Sequence, residues 1–262
     1  MITPRFAIST RSDPLMSLAG WRQVCANTGI NDLDLDYSNR LRRRMLLRGF
    51  DGSVDPSFSS HSVWLGKSAV LSKALWNENH SLAIVPEHLV LPRRGGDSFP
   101  GRLDAIRRQL GGSVDLAMAL KPENREGSRA HLDRISNVRR IVEEWDLSFA
   151  LDLSGSIDPR WEAEAAVLRM GNRLRLVRLT LPEEDIQGSF YARPADQLVF
   201  RVLATLKDMN YNGTISLKLR MPWWNLSDPV AAANEAIRDA STILTKFRDL
   251  PAESRRPPRR VF

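Results

Sequence analysis

Glu87 and His88 are adjacent in the chain. A histidine beside a carboxylate can take up and release protons near neutral pH, so this pair is the natural acid–base candidate; a loop salt bridge is its plainer use. A second group of residues falls late in short apolar runs: Asp36, Lys121, Asp152, Arg178, Lys218 and Arg220. Carboxylates in such positions serve proton transfer or metal binding, whereas lysines and arginines bind anions, the planar guanidinium matching a carboxylate or phosphate. Facing one another, the same residues make a self-satisfied ion-pair network. Trp223 and Trp224 offer flat surfaces for a sugar ring or a base, or alternatively packing for a rim. His61 is a candidate metal ligand, while His80 and His131 lie in polar stretches and carry no expectation. Ser9, Ser62 and Ser156 show no Ser-His-Asp arrangement.

Some regular scaffold must bring these residues together, and the apolar pattern supplies one. Strand-like runs occur at Phe6–Thr10, Asp32–Tyr37, His61–Leu65, Leu82–Pro86, Val114–Leu120, Leu147–Leu153, Leu174–Thr180 and Thr214–Leu219. Helical spacing separates several of them. Leu18, Trp21, Val24 and Cys25 share one side of residues 17–28, with Gly29 placed to end that helix. Leu132, Ile135, Val138, Ile141, Val142 and Trp145 do the same over 128–145. Shorter helices are predicted over 103–110, 161–170 and 197–209, and a last one over 229–247. Residues 38–60 and 89–100 read as long connections rich in Arg, Ser and Gly.

Eight strands alternating with helices over about 250 residues predict a single α/β domain, a (β/α)8 TIM barrel. An open doubly wound sheet competes, but no Gly-x-Gly-x-x-Gly or phosphate-loop sequence follows the first strand. Alternation assigns the faces. Ile215, Leu217 and Leu219 share one side and Ser216, Lys218 and Arg220 the other; Leu33 and Leu35 oppose Asp32, Asp34 and Asp36. In a barrel the apolar side packs on the helices and the other points inward. The late residues then rim the C-terminal mouth, which gathers Asp36, Lys121, Asp152, Arg178, Lys218 and Arg220.

Composition limits the alternatives. The chain has 262 residues, 42% hydrophobic, with one cysteine, which excludes an internal disulfide framework and a four-cysteine zinc module. No apolar run approaches the roughly 18 residues of a membrane-spanning helix, and the first residues lack the order of a signal peptide. A cytoplasmic protein without membrane association is expected. Thirty-eight Lys and Arg against 31 Asp and Glu give a net charge of +7. Part of the excess lies in Arg40, Arg42, Arg43, Arg44 and Arg48. Another part lies in Arg255, Arg256, Arg259 and Arg260, within a proline-rich tail, 251–262, expected to be disordered beyond a barrel of residues 1–250.

The opening Phe6-Ala7-Ile8-Ser9-Thr10, the following helix, and Gly29 to Asp36 resemble the start of the xylose-isomerase-like TIM barrels. That superfamily contains sugar-phosphate isomerases and epimerases and the AP endonucleases. Leu151-Asp152-Leu153-Ser154-Gly155, Arg173 to Leu179, and Tyr211-Asn212-Gly213 leading into Ile215-Ser216-Leu217 extend the resemblance over nearly the whole chain before about Leu250. It implies a divalent metal such as manganese or zinc held by carboxylates and a histidine at the strand ends. Asp152 matches the family's sixth-strand Asp, and His61 resembles the His after the third strand; these two would serve a retained metal. Lys121 and Lys218 stand where glutamates are expected on the fifth and eighth strands, and Arg178 where a histidine is expected on the seventh. Lys and Arg offer no lone pair to a metal at neutral pH, so the expectation here is no cofactor.

The expected function is a diverged sugar-phosphate isomerase/epimerase-like barrel that acts on or binds a small polar, anionic ligand. Glu87, His88 and Asp152 would be its acid–base groups. Asp36, Lys121, Arg178, Lys218, Arg220 and Trp223 would bind the ligand, the cations stabilising developing negative charge. The alternatives are a non-catalytic barrel that binds an anion or a protein partner, and an AP-endonuclease-like protein that binds nucleic acid. Oligomeric state is not legible.

Overall fold

Strand and helix patterns of the predicted period are present in the computed structural model, which describes residues 5–12, 16–30, 32–37, 40–46, 48, 59–65, 86–91, 99–110, 114–120, 128–154, 163–180 and 194–219. Eight parallel strands close into a barrel in sequence order. They are β1 (Arg5–Ser9), β2 (Asp32–Tyr37), β3 (Ser59–Leu65), β4 (His88–Leu91), β5 (Asp115–Leu120), β6 (Ser148–Leu153), β7 (Leu174–Thr180) and β8 (Thr214–Lys218). Closure is made by β1 against β8, with Phe6 opposite Ile215 and Ala7 opposite Ser216. The helices described between them are α1 (Leu18–Thr28), α2 (Arg40–Leu46), α3 (Phe99–Leu110), α4 (Ser128–Glu144), α5 (Ala163–Met170) and α6 (Pro194–Asp208). The chain is a (β/α)8 TIM barrel.

Local chemistry explains the first helix well. Ser17 accepts a hydrogen bond from the Gly20 amide at 3.3 Å, satisfying one of the amides that a helix start leaves unpartnered. At the other end Gly29 sits in the left-handed region, φ 69°, and its amide donates to the Cys25 carbonyl at 3.0 Å. Between these caps Leu18, Trp21, Val24 and Cys25 are all buried, as their spacing predicts. In α4 the buried stripe is Ile135, Val138 and Val142, with Ile141 and Trp145 partly buried against the same core.

Alternation divides the strands between two cores. The larger lies between sheet and helices and takes Ile8, Leu33, Leu35, Val63, Leu89, Met118, Leu151, Val177, Ile215 and Leu217 among others. Each such Leu or Ile removed from water contributes about 1.5–3 kcal/mol. The smaller core is inside the barrel: Trp64, Val90, Ala117, Ala150 and Leu176, with Ala119 partly buried against it. Small residues on β5 and β6 leave room that the large side chains of β3 and β7 fill.

Two register irregularities set which side chains face inward. Leu33 pairs with Ser60 but Asp34 with Ser62, so His61 is the extra residue of β3. Phe149 pairs with Leu174 but Ala150 with Leu176, so Arg175 is the extra residue of β7. Because side chains alternate with period two, each extra residue reverses the facing of the later residues in its strand. The second places Arg178 opposite Asp152 and, on its other side, opposite Ser216.

Gly213 occupies a place where the backbone approaches too closely for a side chain. A Cβ there would run into the Tyr211 hydroxyl and the Arg175 carbonyl.

The fourth strand differs from expectation. It is His88–Leu91, not Leu82–Pro86; Pro86 precedes it and residues 82–85 lie outside the described residues. Within the stretches read as long connections, α2 covers Arg40–Leu46, and β4 and the start of α3 occupy part of 89–100. The helix expected over 229–247 and the tail 251–262 also lie outside the described residues, as does everything from Arg220 onward.

Candidate functional site

At the C-terminal end of the strands, polar residues replace apolar ones on the inward face. The network starts at Asp34, in the middle of β2 and fully buried. Its Oδ1 accepts from the Ser62 hydroxyl of β3 at 2.5 Å. Its Oδ2 accepts from Arg178 Nε at 2.7 Å and from the Ser216 hydroxyl at 2.5 Å. One carboxylate thus ties β2, β3, β7 and β8 together across the barrel. The Arg178 guanidinium lies over the Trp64 ring, with Cζ 3.8 Å from the centroid. Burial would lower the Arg178 pKa, but the charges of Asp34 and Asp152, the Asp34 hydrogen bond and the charge of Asp36 outweigh it and raise the value. Arg178 is therefore a permanent buried cation.

One layer nearer the mouth, Arg11 lies just beyond β1 and reaches across the opening. Its Nη1 donates to Asp152 Oδ2 at 2.8 Å, and its Nε lies 3.8 Å from Asp36 Oδ2. Asp36 also accepts from Arg42 Nη1 at 2.6 Å, so α2 is tied to the rim. Asp152 Oδ1 accepts from the Ser154 amide at 3.0 Å and from its hydroxyl at 2.5 Å. Burial pushes the Asp152 carboxyl up, but Arg178, Arg11 and the Ser154 hydrogen bonds prevail, and its pKa is lowered. Lys218 Nζ donates to the Ser154 carbonyl at 3.2 Å, and the Thr180 hydroxyl donates to the same carbonyl at 2.7 Å. Ser12 joins the ends of β1 and β8: its hydroxyl donates to the Ser9 carbonyl at 2.7 Å and accepts from the Leu219 amide at 2.7 Å.

Of the residues expected at the mouth, Asp36, Asp152, Arg178 and Lys218 share this network. Lys121, Arg220 and Trp223 lie outside the described residues, and the His61 side chain is likewise not described. Glu87 and His88 require a correction. They do not follow the fourth strand; His88 is its first residue and Glu87 precedes it, which puts both at the N-terminal end of the barrel. There His88 Nδ1 lies 2.9 Å from Asp115 Oδ2, which also accepts from the Ser148 hydroxyl at 2.8 Å. Arg5 Nη1 donates to Glu87 Oε2 at 2.6 Å and its Nη2 lies 3.1 Å from Asp32 Oδ2. Burial would raise the Asp115 pKa, but the His88 and Ser148 hydrogen bonds, with the charges of His88 and Arg175, lower it. This is a second, separate polar layer, at the end of the fold associated with stability.

Sequence reasoning missed Asp34, Arg11, Arg42 and Trp64. Asp34 and Trp64 carried a signal: Asp34 is central among three alternating aspartates, and Trp64 shares its strand face with Ser62. Arg42 gave only a run of arginines, of which geometry selects one, and Arg11 merely comes soon after the first strand.

The donor set does not fit the divalent metal that the family resemblance implies. Asp36 is held between Arg42 and Arg11, Asp152 is bound by Arg11, and the seventh-strand position is Arg178, which has no lone pair to give. Among the described residues no group of three or more His, Cys, Asp or Glu could hold a metal ion. Guanidinium and ammonium groups are donors with the chemistry to hold an anion. Among the described residues four cations, Arg11, Arg42, Arg178 and Lys218, meet three inward carboxylates, Asp34, Asp36 and Asp152.

No helix among the described residues is long and apolar enough to cross a membrane. No protein-family profile matches the chain, and no curated protein matches its sequence. Solved structures do match in shape. An L-ribulose 3-epimerase superposes with a TM-score of 0.57 at 13% identity, covering 98% of this chain and 100% of its own. A D-psicose 3-epimerase with D-tagatose from Clostridium cellulolyticum H10 gives 0.56 at 14% identity, covering 93% and 99%. A D-allulose 3-epimerase from Methylomonas sp. gives 0.55 at 13%, covering 94% and 99%. In fold, then, this chain is a (β/α)8 barrel similar along nearly its whole length to barrels that carry sugar epimerases.

Proposed function

We propose that this barrel binds a small polar, anionic ligand, a sugar acid or sugar phosphate, at its C-terminal mouth, as a diverged relative of the sugar isomerases and epimerases. The observation that carries the reading is the group of fixed cations that the described residues place there, anchored by Arg178 at the floor. Guanidinium groups already held by carboxylates lose little freedom on binding an anion, and burial strengthens the attraction. Arg178 and Lys218 would meet the ligand's negative charge, and Asp36 and Asp152 would orient Arg42 and Arg11. Lys121, Arg220 and Trp223 come after strand ends in the sequence and complete the proposed binding set.

One observation favours binding without turnover. Each inward carboxylate of the mouth faces a guanidinium, and the Asp152 pKa is lowered, which makes it a poor proton acceptor.

Thermal unfolding with D-gluconate, D-glucose 6-phosphate, inorganic phosphate and D-fructose at millimolar concentration tests the reading. A rise in melting temperature with the anionic sugars and none with D-fructose is expected. Equal effects of charged and neutral sugars, or no effect of any, would overturn it. Proton NMR of bound keto-sugars in D2O separates the catalytic from the binding form: exchange of the hydrogen beside the carbonyl marks turnover.

A further inference from the structure

Two buried donors inside the barrel have no acceptor from the protein, and they belong to the same stack. Arg178 Nη2 and Trp64 Nε1 are both sealed from solvent and make no hydrogen bond. The residues are 1% and 6% exposed, and the Arg178 Cζ stands 3.8 Å over the Trp64 ring. Buried polar groups are nearly always partnered, because an unmade hydrogen bond costs about 1–3 kcal/mol. Two such groups in contact, beside carboxylates that are closely paired, mark a place built to receive something.

We infer that Arg178 Nη2 and Trp64 Nε1 are the ligand donors at the floor of the mouth, and that they receive the carboxylate of a sugar acid. This rests on the anion-binding reading and narrows it to one class. Both donors offer N–H groups only, so their partner is an acceptor, and the Arg178 charge favours an ionised one. Arg178 cannot turn away, because Asp34 holds its Nε and Trp64 covers its face. Approach is from the C-terminal end, since Trp64 is the next-to-last residue of β3 and Arg178 stands two before the last of β7.

The number of donors favours a carboxylate over a phosphate. Two N–H donors match the two oxygens of a carboxylate. A phosphate ester carries about −1.5 to −2 at neutral pH and asks for more donors than two.

The experiment tracks the Trp64 indole N–H in proton–nitrogen correlation spectra of the full chain, titrated with D-gluconate, D-glucose 6-phosphate and D-glucitol. Trp64→Phe, which keeps the stacked ring and removes the donor, identifies the resonance. If that variant does not fold, assignment through the Trp64 backbone identifies it in the unaltered protein. The expected result is a saturable downfield shift of this resonance with D-gluconate alone, and gluconate binding about tenfold weaker in Trp64→Phe. Gluconate binding by calorimetry with the Trp64 resonance unmoved would overturn the inference and leave the anion-binding reading standing. A shift with D-glucose 6-phosphate but not with gluconate would overturn the carboxylate assignment. Binding of none of the three would mean that water serves these donors, and both readings fall.

Discussion

Arg178 and Asp34, 144 residues apart in the chain, meet inside the barrel with Nε 2.7 Å from Oδ2 and both side chains almost wholly excluded from solvent. Such a pair contributes little net stability over an apolar pair of the same volume, but breaking it is expensive. Asp34→Asn leaves Arg178 charged and poorly compensated, and also weakens the bonds from Ser62 and Ser216. Urea unfolding should show a loss of about 3–5 kcal/mol. The double change Asp34→Leu with Arg178→Met should recover most of it. A single variant within about 1 kcal/mol of the parent would mean that Asp34 is not what holds the charge.

The pH dependence arises from Asp152 and Asp115, whose pKa values are both lowered on folding. A carboxyl depressed below its unfolded value near 3.9 stabilises the protein above that value. The contribution is lost as pH falls through the folded pKa. Stability should therefore change little between pH 7 and about 5 on account of these groups, and decline below about 4. Asp152→Asn should be less stable than the parent at neutral pH and lose less between pH 5 and 3. Parallel curves for the two proteins would refute the assignment.

His88 belongs to the N-terminal layer with Asp115, Ser148 and Glu87. His88→Ala should lower stability by about 1–2 kcal/mol through the lost hydrogen bond to a charged partner. It should leave the ligand-induced rise in melting temperature as large as in the parent. A large loss of ligand response in a folded variant would return this residue to the chemistry.

Cys25 lies on the buried face of α1, and its thiol pKa is pushed up to about 12, first by burial and then by the charge of Asp32. The thiolate is the reactive form, so the native protein should resist alkylation by iodoacetamide at pH 8. Reaction should become complete in denaturant. Rapid labelling of the folded chain, detected by mass spectrometry, would show that α1 opens readily.

These properties were unequally visible in the amino-acid order. The barrel was legible because period-two and period-3.6 patterns alternate along the chain, and the α1 stripe matched residue for residue. The fourth strand was displaced because Leu82–Val85 and Leu89–Leu91 are both apolar runs, and the charged pair between them reads as a loop. His88 nonetheless begins a strand, since the inward position there faces Asp115 rather than an apolar core. Asp36, Asp152, Arg178 and Lys218 were found by their place late in each run. Arg11 was not, since its role depends on a reach across the opening to Asp152 that no local pattern records. The pairing of Asp34 with Arg178 was equally hidden, because it depends on the irregularity at Arg175.

That single extra residue bears on how related chains must be compared. An alignment that runs ungapped through β7 against a barrel lacking a counterpart of Arg175 will set Arg178 beside an outward-packing side chain. The cation at the centre of the molecule will then look like a substitution in the core between sheet and helices. Placing the gap at Arg175 restores the inward column, and with it the signal by which barrels with the same buried cation can be found. Smoothing the irregularity while keeping Arg175 would make the same point in the molecule: with strict alternation from Leu174, Val177 would turn inward and Arg178 out among the helices, with every amino acid of the site still present.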